Sequence, residues 1–169
     1  EQQVGASQQV SGVVRVGATE SYGTLFLAQH LGQLTAQHRY LSIDLLAMPR
    51  LLNLSRREAD IVISLERPPR GAFLMTKLTD YALHLYASAD YLAKMPAIQQ
   101  LEDLKQHDFV SYIDDLVMSP ALNYLAEVCQ PQRLTLRSTS LIAQQQAAIA
   151  GAGIAILPAF MAQQEPRLQ

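Results

Sequence analysis

Two hydroxyl-bearing stretches carry the chain's most suggestive polar chemistry: Thr19-Glu20-Ser21 within "ATESYG", and Ser138-Thr139-Ser140. Each follows a short strand-like run and opens a run of helix formers, so each sits where a strand hands over to a helix. Unpaired backbone N–H groups and the positive end of the helix dipole collect at such a point, which suits an anion or a polar group. Ser21 and Ser140 read equally well as N-caps, and capping is compatible with ligand contact. Acids stand nearby. Glu20 and the Asp114-Asp115 pair after "FVSYI" turn a pocket built here away from polyanions and toward a polyol, an amine or a zwitterion. Their plainer roles are a helix-start acid and solvated loop acids.

The stretch "AAIAGAGIAILPAF" (Ala147 to Phe160) raises a different chemistry, because Gly151-Ala152-Gly153 resembles part of a dinucleotide fingerprint. That fingerprint needs a strand first and a helix second. Here the order is reversed: "SLIAQQQAAIA" is rich in helix formers, and "GIAIL" is a short apolar run stopped by Pro158. The glycines therefore close a helix and open a strand. Gly151 takes the left-handed position past the helix end, and Gly153 allows close helix–strand approach. Other chemistries lack their residues. Cys129 has no disulfide partner, and His30, His38, His84 and His107 have no zinc-ligand spacing. There is no Ser-His-Asp elbow and no P-loop, and a paired-carboxylate mechanism on Glu20 and Asp114 has no supporting motif. The reading is a chain that is not an enzyme and holds no cofactor or metal.

The elements that must position these turns alternate along the chain. "VVRVGA" (Val13 to Ala18) reads as a strand, Ser21 to His38 as a helix on Leu27, Leu31 and Leu34, and "SIDLLA" (Ser42 to Ala47) as a second strand. Pro49 to Glu58 reads as a short helix, "DIVISL" (Asp60 to Leu65) as a third strand, and right-handed crossovers make all three strands parallel. The "ERPPRG" loop (Glu66 to Gly71) ends this unit. A second pattern follows: strand character in "YALHLYAS" (Tyr81 to Ser88), helices in "DYLAKM" and "QLEDLKQ", and a strand in "DFVSYI" (Asp108 to Ile113). Then come a helix from Ser119 to Cys129, a strand in "RLTLRS" (Arg133 to Ser138), and the helix–turn–strand cassette already described. The expected fold class is α/β, with two Rossmann-like lobes joined at "YALHLYAS" and a cleft between them.

Composition narrows the partners. The chain is 49% hydrophobic and carries a net charge of −2, and its thirteen Lys and Arg residues form no basic stripe, so nucleic-acid contact by these residues is not expected. Arg50, Arg56, Arg57, Arg67 and Arg70 are interrupted by acids and read as a solvated face. No run of 18 apolar residues exists and "EQQVGASQQV" has no signal-peptide pattern, so no membrane partner is expected and the compartment reads as cytoplasmic.

In order, "GVVRVGA…YG…FLAQHLGQL", "READIVISLERPPRGAFLMTKLTDYALHLYASADYL", "DLKQHDFVSY" and "AAIAGAGIAILPAF" resemble the effector-binding domain of LysR-type transcriptional regulators. The resemblance spans nearly the whole chain from Gly12 on. It implies a type 2 periplasmic-binding-protein-like fold, with residues 1–11 a linker stub, 12–86 lobe I and 87–169 lobe II, the C-terminal return to lobe I being absent. It implies a small-molecule effector held between the lobes by the two turns, Met48 and Ser64, with Ile113 and Asp114 completing the expected set. DNA would be reached only through an N-terminal winged helix-turn-helix outside this sequence. The expected assembly is a homodimer through the first helix and the "SIDLLA" edge strand, tetrameric in a full-length regulator. The alternative is an extracytoplasmic solute-binding protein of the same fold.

Overall fold

The computed structural model describes residues 10–48, 58–67, 74–80, 82–117, 122 and 124–169. The described residues form two compact units, Glu1–Ser64 and Leu65–Gln169. The short helix expected from Pro49 falls almost wholly outside them, as do much of the Pro-rich loop and most of the first half of the Ser119–Cys129 helix.

In the first unit, β1 (Ser11–Thr19) is the central strand of a three-stranded parallel sheet ordered β2-β1-β3. β2 (Tyr40–Met48) pairs with it from Ser11↔Tyr40 to Thr19↔Met48, and β3 (Ile61–Ile63) from Val16↔Ile61 to Ala18↔Ile63. The β-branched run Val13, Val14 and Val16 favours the extended backbone, and burial concentrates toward the strand's C-terminal half, where Val16 and Ala18 lie in the core. At the N-terminal half, Arg15 forms an ion pair with Asp44 at 3.0 Å, and its backbone N–H donates to Asp60 at 2.8 Å. A helix follows β1 directly: α1 (Glu20–Tyr22), a π-helical turn (Gly23–Leu27) and α2 (Ala28–Gln37). The expected β-α-β order with parallel strands is present, and β2 is an edge strand.

The second unit has a four-stranded sheet ordered β4-β7-β5-β6. β5 (Asp108–Ser111) runs parallel to β6 (Arg133–Arg137) and to β7 (Ile154–Pro158), whereas β4 (Leu83–Tyr86) is antiparallel to β7. This pairing moves the division between the units. Because β4 hydrogen-bonds along β7, it belongs wholly to the second unit, so the boundary falls after Ser64 and not at residue 86. Short helices α3 (Ala89–Leu92), α4 (Leu125–Val128) and α6 (Ala159–Ala162) and 3₁₀ turns at Leu101–Gln106 and Asp114–Leu116 accompany the longer α5 (Leu141–Ile149). One part of the core packs Phe109, Ile154, Leu104, Tyr91 and Cys129 together. The Tyr91 hydroxyl accepts the Asp108 N–H at 2.9 Å and lies 3.3 Å from His107 Nδ1, tying α3 to the start of β5.

The cassette that closes the second unit folds as its residues dictate. α5 ends at Ile149, Gly151 has φ 83 just past it, and β7 is buried at all five positions. Gly153 has φ 149, and a Cβ there would stand 2.5 Å from the Asp108 carbonyl oxygen. The close approach is to the backbone at the start of β5, a strand, and not the expected helix–strand approach. Thr135 adds a second tie, its hydroxyl lying 3.2 Å from the Phe109 carbonyl and 2.7 Å from the Ala152 carbonyl.

Candidate functional site

Parallel strands point their C-terminal ends the same way, and the expected site residues gather at those ends in each unit. In the first unit, Thr19 and Met48 are register partners at the ends of β1 and β2. Ser64 follows Ile63, which stands level with Ala18 on the other side of β1. Thr19, Glu20 and Met48 are half-buried, Ser21 is buried and Ser64 is exposed. The structure therefore brings together Thr19, Glu20, Ser21, Met48 and Ser64.

The capping assignment in this turn needs correction. Thr19, with φ −60 and ψ 149, is the last extended residue and holds the N-cap position, so Ser21 lies inside α1 and does not cap it. β1 continues to Thr19, one residue past the expected Val13–Ala18 strand, and the helix opens immediately after it at Glu20. The Thr19 side chain makes no capping hydrogen bond, so capping does not occupy its hydroxyl.

In the second unit, β5 and β6 end side by side at Ser111↔Arg137, and the Ser138 N–H donates to the Ser111 carbonyl at 3.0 Å. That bond sets Ser138, Thr139 and Ser140 beside the segment carrying Ile113 and Asp114. Ser140 is the N-cap of α5, its hydroxyl accepting the Ala143 N–H at 3.1 Å, as expected. Ser138 Oγ accepts the Ser140 N–H at 3.1 Å, and Thr139 is exposed. Asp114 starts a 3₁₀ turn and faces Arg137 at 4.0 Å, both side chains being more than half exposed.

Two contributors to this turn were not singled out from the sequence. Gln144 is only 1% exposed, and its side-chain amide donates to the Ser138 carbonyl at 2.9 Å, holding the turn from inside the fold. Its signal was faint: three consecutive glutamines in α5, of which Gln144 and Gln145 are buried and Gln146 is exposed. Arg137 is the other, and its approach to Asp114 depends on the β5–β6 register. A cavity of about 310 Å³ in the same unit, lined by Leu83, His84, Leu85, Tyr124, Val128 and Ile156, includes none of the expected residues. Among the described residues no group of three or more His, Cys, Asp or Glu could hold a metal ion, and no helix is long and apolar enough to cross a membrane.

The sequence profile of the family described as the LysR substrate binding domain matches residues 7–169. The chain belongs to that family. LysR substrate-binding domains are the regulatory, effector-binding parts of transcription regulators, and the family is not a family of enzymes. No curated protein matches this LysR domain in sequence. Its fold is similar to that of the regulatory domain of CrgA from Neisseria meningitidis, with a TM-score of 0.81 at 20% identity over 95% of this chain and 80% of that one. The effector domain of AmpR from Pseudomonas aeruginosa gives 0.64 at 21% identity, over 94% of this chain and 77% of that one. Full-length AphB from Vibrio cholerae gives 0.76 at 17% identity, over 96% of this LysR domain but 57% of AphB. Because the family model is that of the LysR regulatory domain, the solute-binding alternative is not favoured.

Proposed function

We propose that this LysR domain senses a small polar effector through the Thr19–Ser21 turn of its first unit and the Ser138–Ser140 turn of its second. The observation that carries the reading is the placement of both turns at the C-terminal ends of parallel strands, each opening a helix. Met48 and Ser64 accompany the first turn, and Ile113 and Asp114 the second. With Glu20 and Asp114 beside the turns, the effector class is a polyol, an amine or a zwitterion.

The test is a thermal-shift panel of small metabolites, followed by calorimetry on Thr19→Ala and Thr139→Ala. Neither hydroxyl caps a helix, so each variant is expected to weaken effector binding by about 1 kcal/mol or more with the fold retained. Ser140→Ala would also lose a helix cap, costing about 1 kcal/mol of stability, and is the poorer probe. Unchanged affinity in both threonine variants would place the effector elsewhere.

The first unit supports a homodimer. α2 has no buried residue, Ser21 to Gln37 contains no Asp, Glu, Lys or Arg, and among the described residues β2 is an edge strand with no neighbour beyond it. An uncharged exposed helix beside an open strand edge is a surface that association would cover, and a two-fold homodimer is the simplest closed arrangement. We assign the domain to a cytoplasmic regulator, tetrameric at full length, that reaches DNA through an N-terminal winged helix-turn-helix. Sedimentation that finds a full-length regulator monomeric would remove the dimer reading.

A further inference from the structure

The helix that follows β1 changes its winding part-way. Gly23–Leu27 is π-helical, and the Ala28 N–H reaches back five residues to the Gly23 carbonyl. Regular α-helix resumes from Ala28 to Gln37. π turns are rare in proteins and occur mostly as single turns inside α-helices. This one marks a boundary in burial. Ser21, Gly23 and Leu27 are buried, whereas α2 has no buried residue. Gly23 is pressed so closely on the sheet that a Cβ there would stand 2.7 Å from the Ala47 Cβ. One half of the helix is buried against the sheet, and the other is at most half-buried, at Leu31 and Thr35.

We propose that the π turn Gly23–Leu27 is a rotational joint, through which α2 changes its angular setting while the Thr19–Ser21 turn stays seated on the sheet. A π turn holds one residue more than an α turn. Rewinding it to α advances every residue from Ala28 onward by one helical position, about 100° of rotation and about 1.5 Å of travel. The anchored half cannot take up that motion without unpacking Ser21, Gly23 and Leu27. α2 has less to give up, since it carries no fully buried side chain and only Leu31 and Thr35 are half-buried. The stacked rings of Tyr22, Phe26 and His30, with centroids 5.0 and 4.4 Å apart, span the joint. His30 Nδ1–H donates to the Phe26 carbonyl at 2.9 Å, so the His30 ring reports directly on the winding. The consequence rests on the dimer reading given above: the rotation changes which side of α2 a second copy meets.

The test is ¹⁵N relaxation dispersion on the full chain, which reads exchange on the microsecond-to-millisecond scale. The expected result is a shared exchange process in the amides of Gly23 to Gln37, with His30 ring resonances following it and Val14 to Ala18 of β1 quiet. Deletion of Thr24, an exposed residue of the π turn, removes the surplus residue and leaves both halves in their present phase as continuous α-helix. The exchange should then disappear, with dimer affinity unchanged. A flat wild-type profile from Gly23 to Gln37 overturns the proposal whether or not the shortened chain folds, and so does exchange that survives the deletion. A monomer by sedimentation would sink the dimer reading alone, since the dispersion experiment decides the joint without it.

Discussion

At the residue scale, burial and local pairing make two ionisable groups behave unlike their free counterparts. Cys129 is packed in the core with Phe109, Leu104 and Tyr91; burial pushes its thiol up, and the weaker pull of Lys105 does not offset this. A raised thiol holds its proton in the folded state after the unfolded state has lost its own. Its contribution to stability is thus constant below the ordinary thiol range and falls as pH rises through it. Cys129 should react slowly with a thiol reagent at neutral pH and quickly in denaturant; rapid native labelling would contradict the packing. Glu165 is the opposite case. Arg167 faces it with two contacts of 2.7 Å, and this pairing, with the Arg167 N–H, brings the carboxyl down to about 2. A lowered carboxyl stabilises the fold above its ordinary value of 4.5, and that effect is lost as pH falls from there through about 2. A carboxyl-detected NMR titration should give a midpoint near that low value, and Arg167→Ala should return it toward the ordinary one. Residues of this kind were only half legible in the sequence. The two hydroxyl turns stood out because strand and helix patterns meet there, whereas Gln144 under Ser138 and Arg137 beside Asp114 depend on packing and register.

At the element scale, two glycines with opposite surroundings give opposite expectations. Gly32 lies in exposed α2, where an added Cβ would meet nothing within 4 Å, so Gly32→Ala should stabilise the monomer by about 1 kcal/mol through helix propensity. Gly153 has φ 149 and the Asp108 backbone against it, so Gly153→Ala should cost about 1–3 kcal/mol from backbone strain, before any clash is counted. Urea denaturation of the two variants checks both signs. In the Gly151–Gly153 cassette the helix end that Gly151 closes was legible as a local demand, whereas the backbone that Gly153 meets, at Asp108, comes from a distant part of the chain. The π turn was not legible: leucines at helical spacing read Ser21 to His38 as one uniform helix, and the extra residue leaves that pattern almost intact. β4 was read as a joint between lobes because its antiparallel partner lies more than sixty residues further along the chain. A long-range pairing of that kind leaves no mark in local periodicity.

For the whole molecule, charge sets the clearest expectation. Thirteen Lys and Arg without a stripe, against a net charge of −2, should give no salt-sensitive binding to duplex DNA by this chain, even at low ionic strength. A gel shift at micromolar protein that weakens as salt rises would overturn this. The described strands of the two sheets also differ in when they can pair during synthesis. β1, β2 and β3 are all present by Ile63, so the first sheet can pair early. The second cannot, because β7, the strand between β4 and β5, is the last to be made. Until Pro158 has left the ribosome, β4 has no neighbour in the sheet and the apolar surface of β5 stays uncovered on that side. Translation at roughly 5–20 residues per second makes this an interval of several seconds or more between one sheet and the other. During it the nascent second unit carries open strand edges of the kind that chaperones shield.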